Sequence, residues 1–103
     1  MGMERVVTFP GAEPTWPAVR DRIAAAGGTV QMRMIDNLPA FPDEQPEPGW
    51  QELRVSLGGG MLTVRREPAR WRVVVWGNAD EALRRDQELL ARAAAEAGAG
   101  AVS

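Results

Sequence analysis

The period of the apolar positions changes several times along this chain, and each change marks an element. "ERVVTF" (Glu4–Phe9) is short and rich in β-branched residues, which predicts a strand. "PGAEP" breaks it. In "TWPAVRDRIAAAGG", Trp16, Val19, Ile23 and Ala26 recur at spacings of three and four, giving one apolar helical stripe. Thr15 is placed to cap that helix, Pro17 suits its first turn, and Gly27-Gly28 stops it. "TVQMRMID" (Thr29–Asp36) then alternates with period two. Val30, Met32 and Met34 share one face of the expected strand; Gln31, Arg33 and Ile35 share the other.

Residues 38–50, "LPAFPDEQPEPGW", interrupt the pattern. Proline fixes φ and removes backbone donors, so neither a continuous strand nor a helix is expected there. The stretch reads as a stiff, exposed loop pinned by Leu38 and Phe41. It carries acids at Asp43, Glu44 and Glu47, and no basic residue flanks a PxxP spacing. Alternation resumes in "QELRVSLGGG" (Gln51–Gly60), a strand running into a glycine turn, with "MLTVRRE" (Met61–Glu67) as its hairpin partner. The glycine run lies between two strands and lacks the lysine and following helix of a phosphate-cradling loop. "PAR" turns the chain into "WRVVVW" (Trp71–Trp76), a further strand. After Gly77 a long helix is expected. Asn78 would be its N-cap, Glu81 stands at capping-box spacing, and Asp80 and Glu81 suit the positive end of the helix dipole. Ala82, Leu83, Leu89, Leu90, Ala93, Ala94 and Ala97 would form its inner face. Gly98 ends it, and residues 98–103 read as a frayed tail.

The expected fold is therefore a single α+β domain over residues 1–103, with the order β-α-β-β-β-β-α. It has a five-stranded, mostly antiparallel sheet with two helices on one face. Two helices leave the other face uncovered. Strand parity sends Leu53, Val55, Leu57, Leu62, Val64, Trp71, Val73 and Val75 to the helices. It sends Arg33, Arg54, Arg65 and Arg72 to the open face, with Ile35, Met61, Thr63, Val74 and Trp76 among them and Glu52 as the one acid. Arginine and threonine are ordinary on a solvated sheet. Tryptophan, methionine and two aliphatics on an uncovered face form a patch that asks for a partner.

Composition narrows the chemistry. The chain has 103 residues, enough for one core, and a formal charge of −2 from 12 basic and 14 acidic residues. There is no histidine and no cysteine, so the commonest general base, the commonest metal ligand, thiolate sites and disulfides are all missing. Every basic residue is arginine, and tyrosine is absent. Arginine enrichment suits bidentate contact with phosphate or carboxylate; GC-rich coding gives the same enrichment alongside alanine, glycine and proline. The serines and threonines have no histidine or lysine to activate them, and no carboxylate pair stands out. No catalytic residue, cofactor or metal is expected. No apolar run is long enough to cross a bilayer and no secretory leader is visible, so a cytoplasmic location without membrane association is expected.

The element order, together with "VVVWGNADEA", resembles one repeat of a TATA-binding-protein domain: last strand, glycine, acidic helix start. The likeness covers most of the chain as topology and about Arg72–Leu90 as sequence. In that family alternate residues of this strand face DNA, which implies such a role for Val74 and Trp76. The family's preceding strand carries a wedging phenylalanine where this chain has "TVRRE", so kinking is not implied. The family has two repeats per chain, so a single repeat implies a homodimer. The expected function is thus a non-catalytic binding module working through the open face. Its target would be nucleic acid or another anion, with the arginines gripping and Trp76 stacking. The alternative is a protein-interaction module: a homodimer, or an inhibitor or immunity-type partner with no nucleic-acid role.

Overall fold

The computed structural model describes residues 3–76 and 79–103. Its α+β architecture and antiparallel sheet follow the expectation, but seven strands, not five, form that sheet. In chain order the elements are β1 (Met3–Thr8), α1 (Trp16–Ala25), β2 (Gln31–Ile35), β3 (Leu38–Pro39), β4 (Glu52–Ser56), β5 (Met61–Glu67), β6 (Arg70–Val75), α2 (Glu81–Gly98) and β7 (Ala101–Val102). Across the sheet they run β3-β2-β4-β5-β6-β1-β7, and each neighbouring pair is antiparallel.

Both extra strands arise from local backbone chemistry. Asp36 and Asn37 have φ of 49° and 68°, the two consecutive positive values of a tight hairpin turn, and they fold Leu38-Pro39 back onto Met34-Ile35. The Asp36 carboxylate then accepts from the backbone N–H of Gln51 at 2.8 Å and of Glu52 at 2.9 Å, closing the base of the proline-rich segment. Leu38 and Phe41 do not pin that segment. They are 68% and 76% exposed, and the work falls to backbone bonds such as Met32 N–H to the Pro42 carbonyl. The chain end is not frayed either. Ala99 takes a left-handed conformation, Gly100 N–H returns to the Ala95 carbonyl, and Ala101-Val102 pair with Val7 and Thr8.

The helices begin where their caps allow. Thr15 Oγ1 accepts from Ala18 N–H at 3.3 Å with Pro17 in the first turn. For α2 the cap is Asp80, whose Oδ1 accepts from Leu83 N–H at 2.9 Å; the expected cap, Asn78, lies outside the described residues. Trp16, Val19 and Ile23 from α1 are buried, whereas Ala26 is exposed. In α2 the buried stripe is Leu90, Ala91, Ala93, Ala94 and Ala95, and Ala82 is exposed. These side chains meet Val7, Val55, Leu53, Leu62, Val64, Trp71, Val73 and Val75 from one face of the sheet in a single core cluster. The buried Gln87 amide donates to the Val73 carbonyl at 2.9 Å, which fixes α2 over β6. The glycine turn docks here too: Gly59 N–H donates to Asp86 of α2, and a Cβ at residue 59 would meet the Ala82 backbone at 3.0 Å.

The tail's docking is testable. A Cβ on Gly100 would press on the Thr8 carbonyl oxygen and lie 2.9 Å from Phe9, with backbone on one side that cannot swing away. Gly100→Ala should cost about 1–3 kcal/mol, as overpacking does. In thermal melts the midpoint should drop by about 5 °C or more. Gly11→Ala, where no atom stands within 4 Å, should leave the midpoint unchanged.

Candidate functional site

The face of the sheet away from the helices carries the residues that parity predicted, with two corrections. In register across four strands lie Arg54, Thr63, Val74 and Glu4; in the adjacent row lie Glu52, Arg65, Arg72 and Val6. Val74 belongs to no helix-side core cluster, as expected of an outward residue. Thr63 and Val74 are nevertheless only 5% and 7% exposed. Their partners in register are Arg54 and Glu4, side chains long enough to cover an apolar floor. They are the floor of this face and not its contact surface.

The first correction is Ile35. The β2–β4 register shifts between Met32 and Met34, so Met34 pairs with Arg54 and Ile35 with Leu53. One extra residue at a bulge reverses parity beyond it. Ile35 therefore packs against the core, and Met34 takes its place on the open face. Arg33, at the bulge, is exposed and donates to Gln31 Oε1 at 3.0 Å.

The second correction is electrostatic. Glu4 and Glu67 join Glu52 on this face, because β1 lies beside β6 and Glu67 pairs with Arg70. Arg72 donates through Nη1 to Glu4 at 2.6 Å and through Nε to Glu67 at 2.7 Å. Arg70 reaches the other Glu67 oxygen at 2.7 Å, and Arg65 reaches Glu52 at 3.2 Å. The hydrogen bond from Arg72 is the largest cause holding the Glu67 carboxyl below its ordinary value of 4.5, and Glu67 in turn raises the Arg72 guanidinium. Of the four arginines predicted for the face, Arg65 and Arg72 are neutralised in place. Arg33 and Arg54 have no acidic partner among the described residues, and Arg54 Nε is buried without a hydrogen bond. Met61 at the start of β5 is 46% exposed, and Trp76, the residue that follows β6, is 59% exposed.

A cavity on the other side of the sheet was not foreseen. At the end of the sheet where α1 begins, a cavity of about 370 Å³ is lined by Trp16, Trp50 and Trp71, by Pro14, Pro17, Pro46 and Pro48, and by Glu13, Glu47 and Arg66. Glu13 Oε1 accepts from both Trp71 Nε1 and Arg66 Nε at 2.8 Å. Arg66 also donates to the Pro48 and Trp50 carbonyls and lies over the Trp50 ring, 5.4 Å from its centroid. Helix start, proline-rich segment and sheet thus converge on one guanidinium. No spacing in the sequence joins residues 13, 50, 66 and 71; a run of prolines ending in a tryptophan was the one local sign that the segment rests on something apolar.

Among the described residues no three or more carboxylates cluster closely enough to hold a metal ion, and no helix is long and apolar enough to cross a membrane. Comparison with protein-family models, curated proteins and solved structures finds no match to this chain.

The folded pKa of Glu67 is depressed, so its contribution is present above the unfolded carboxyl value and is lost as pH falls through the folded one. Thermal melts between about pH 3 and pH 7 should show a shallower acid limb for Glu67→Gln than for the parent. Glu13→Ala removes the acceptor of a fully buried indole N–H and should cost about 1–3 kcal/mol in chemical denaturation, with Glu13→Gln recovering part of the loss.

Proposed function

We propose that this chain is a non-catalytic docking module whose open sheet face receives an acidic, partly apolar surface of another protein. The observation that carries the reading is the distribution of unspent groups on that face. Arg65 and Arg72 are consumed by Glu52, Glu4 and Glu67. What remains to offer is Arg33 on β2 and Arg54 on β4, with Met34 in register with Arg54, and the exposed Met61 and Trp76 further across the sheet. Tryptophan and arginine around an apolar centre are the residue types that most often dominate protein interfaces. Polyphosphate binding scales instead with the number of free cations, and paired arginines contribute little to it.

A TATA-binding-protein-like homodimer gripping nucleic acid is the second reading. The unpartnered Arg33 and Arg54 favour it; the interleaved glutamates oppose it, since each would have to be desolvated against phosphate.

Titration separates the two. An acidic peptide containing an aromatic residue should bind and shift Trp76 fluorescence. Arg54→Glu or Trp76→Ala should weaken it about tenfold, in the range of interface anchors. Mixed DNA and RNA should bind weakly, with a log–log salt slope of magnitude about 2 or less, as two phosphate contacts would give. Tight nucleic-acid binding with a slope near about 4 would overturn the docking reading in favour of the second.

A further inference from the structure

We propose that the acidic, partly apolar surface received by the open face belongs to a second copy of this chain, which presents it on its proline-rich segment. The inference rests on the docking reading above and names the partner.

The segment carries what the face asks for. Phe41 and Leu38, 76% and 68% exposed, are the two most exposed large apolar side chains among the described residues. Asp43 and Glu44 follow Phe41 directly across Pro42, and both are exposed. Asp43 makes no ion pair or side-chain hydrogen bond among the described residues. An aromatic ring beside two carboxylates is the complement of Arg33 and Arg54, which have no acidic partner, and of Met34 in register with Arg54. Glu52, the acid next to this spot on β4, is already paired with Arg65.

The presentation is rigid. Phe41 N–H donates to Glu44 Oε1 at 3.1 Å, and Glu44 N–H returns to the Phe41 carbonyl at 3.0 Å. On either side of Phe41 the backbone is tied to β2: Ala40 N–H donates to the Arg33 carbonyl at 3.0 Å, and the Pro42 carbonyl accepts from Met32 N–H at 2.9 Å. An aromatic side chain left in water on a fixed backbone loses little further freedom when a partner buries it.

The contact can be reciprocal. β3, β2 and β4 are neighbours at one edge of the sheet, so segment and free arginines stand near each other on every copy. A two-fold axis beside that edge sets each segment against the other copy's Arg33 and Arg54, and the assembly closes at two chains. Trp76, which follows β6 further across the sheet, lies outside the contact and stays exposed.

Sedimentation velocity on the full chain tests this. The expected result is a reversible monomer–dimer equilibrium, half complete at about 10–100 µM, as a small and partly polar interface gives. Phe41→Ala, at an exposed position, should weaken the dimer about tenfold without moving the melting midpoint of the dilute chain. Arg54→Glu and Asp43→Arg should each weaken it about tenfold or more, since each sets like charges opposite one another. Mixing those two variants should restore dimers, because every mixed pair holds one exchanged contact and one original contact. If Arg54→Glu does not fold, Arg33→Glu, at an exposed side chain, takes its place. A dimer unaffected by Phe41→Ala and by both charge changes, or one that mixing does not restore, would overturn the proposal. So would a monomer at every concentration. In that case the docking reading stands if the acidic aromatic peptide still binds the open face, and falls with the proposal if it does not.

Discussion

Seven strands make a sheet with two broad faces, and the two helices cover one of them. That mismatch between sheet and helices governs the rest of the molecule. Strict alternation in β4, β5 and β6 commits Leu53, Val55, Leu62, Val64, Trp71, Val73 and Val75 to the covered side. The same alternation leaves Thr63 and Val74 on the bare side, which neither helix covers among the described residues. Rows of long charged side chains flank them in register. Arg72 bridges two glutamates from two different parts of the chain, one in β1 and one at the end of β5. Long side chains held in this way cover apolar floor while keeping their charged ends in water. The ion pairs themselves, partly exposed, add little stability individually. Their larger effect is to neutralise two of the four arginines that parity placed on this face.

The helix-bearing side is organised around a different interaction at one end. A single carboxylate oxygen of Glu13 holds the indole N–H of the fully buried Trp71 and the guanidinium of Arg66. Arg66 in turn gathers the carbonyls of the proline-rich segment. A segment with few backbone donors cannot join a sheet as a long strand. It is tied down here by a side chain that donates to its carbonyls, by the Asp36 carboxylate at its base, and by Trp50 packed edge-on against Trp71. The cavity is what remains between these rigid walls.

The covered face was legible in the sequence because it rests on local periodicity. Trp71, Val73 and Val75 alternate in "WRVVV", and Trp16, Val19 and Ile23 recur on a helical stripe, so both sets could be assigned before any contact was known. The open face was legible only in part. A bulge near Arg33 exchanges Met34 and Ile35, and such a shift is set by the partner strand's register, not by the alternating pattern itself. The neutralising glutamates were invisible for a similar reason: Glu4 meets Arg72 because β1 lies next to β6, a pairing between the chain's beginning and its last long strand. The two short strands escaped because two residues carry no period. Of their signals, the Asp36-Asn37 turn was local and the docking of Ala101-Val102 beside β1 was not. The tryptophan cavity, assembled from three separated stretches, had no period to announce it.

Oxidative footprinting of the four tryptophans bears most directly on the bare face. In dilute solution Trp76 should react many times faster than Trp16, Trp50 and Trp71, which are 3%, 5% and 0% exposed. Protection of Trp76 to the level of Trp71 under those conditions would mean that the chain covers this face itself, and would contradict the account.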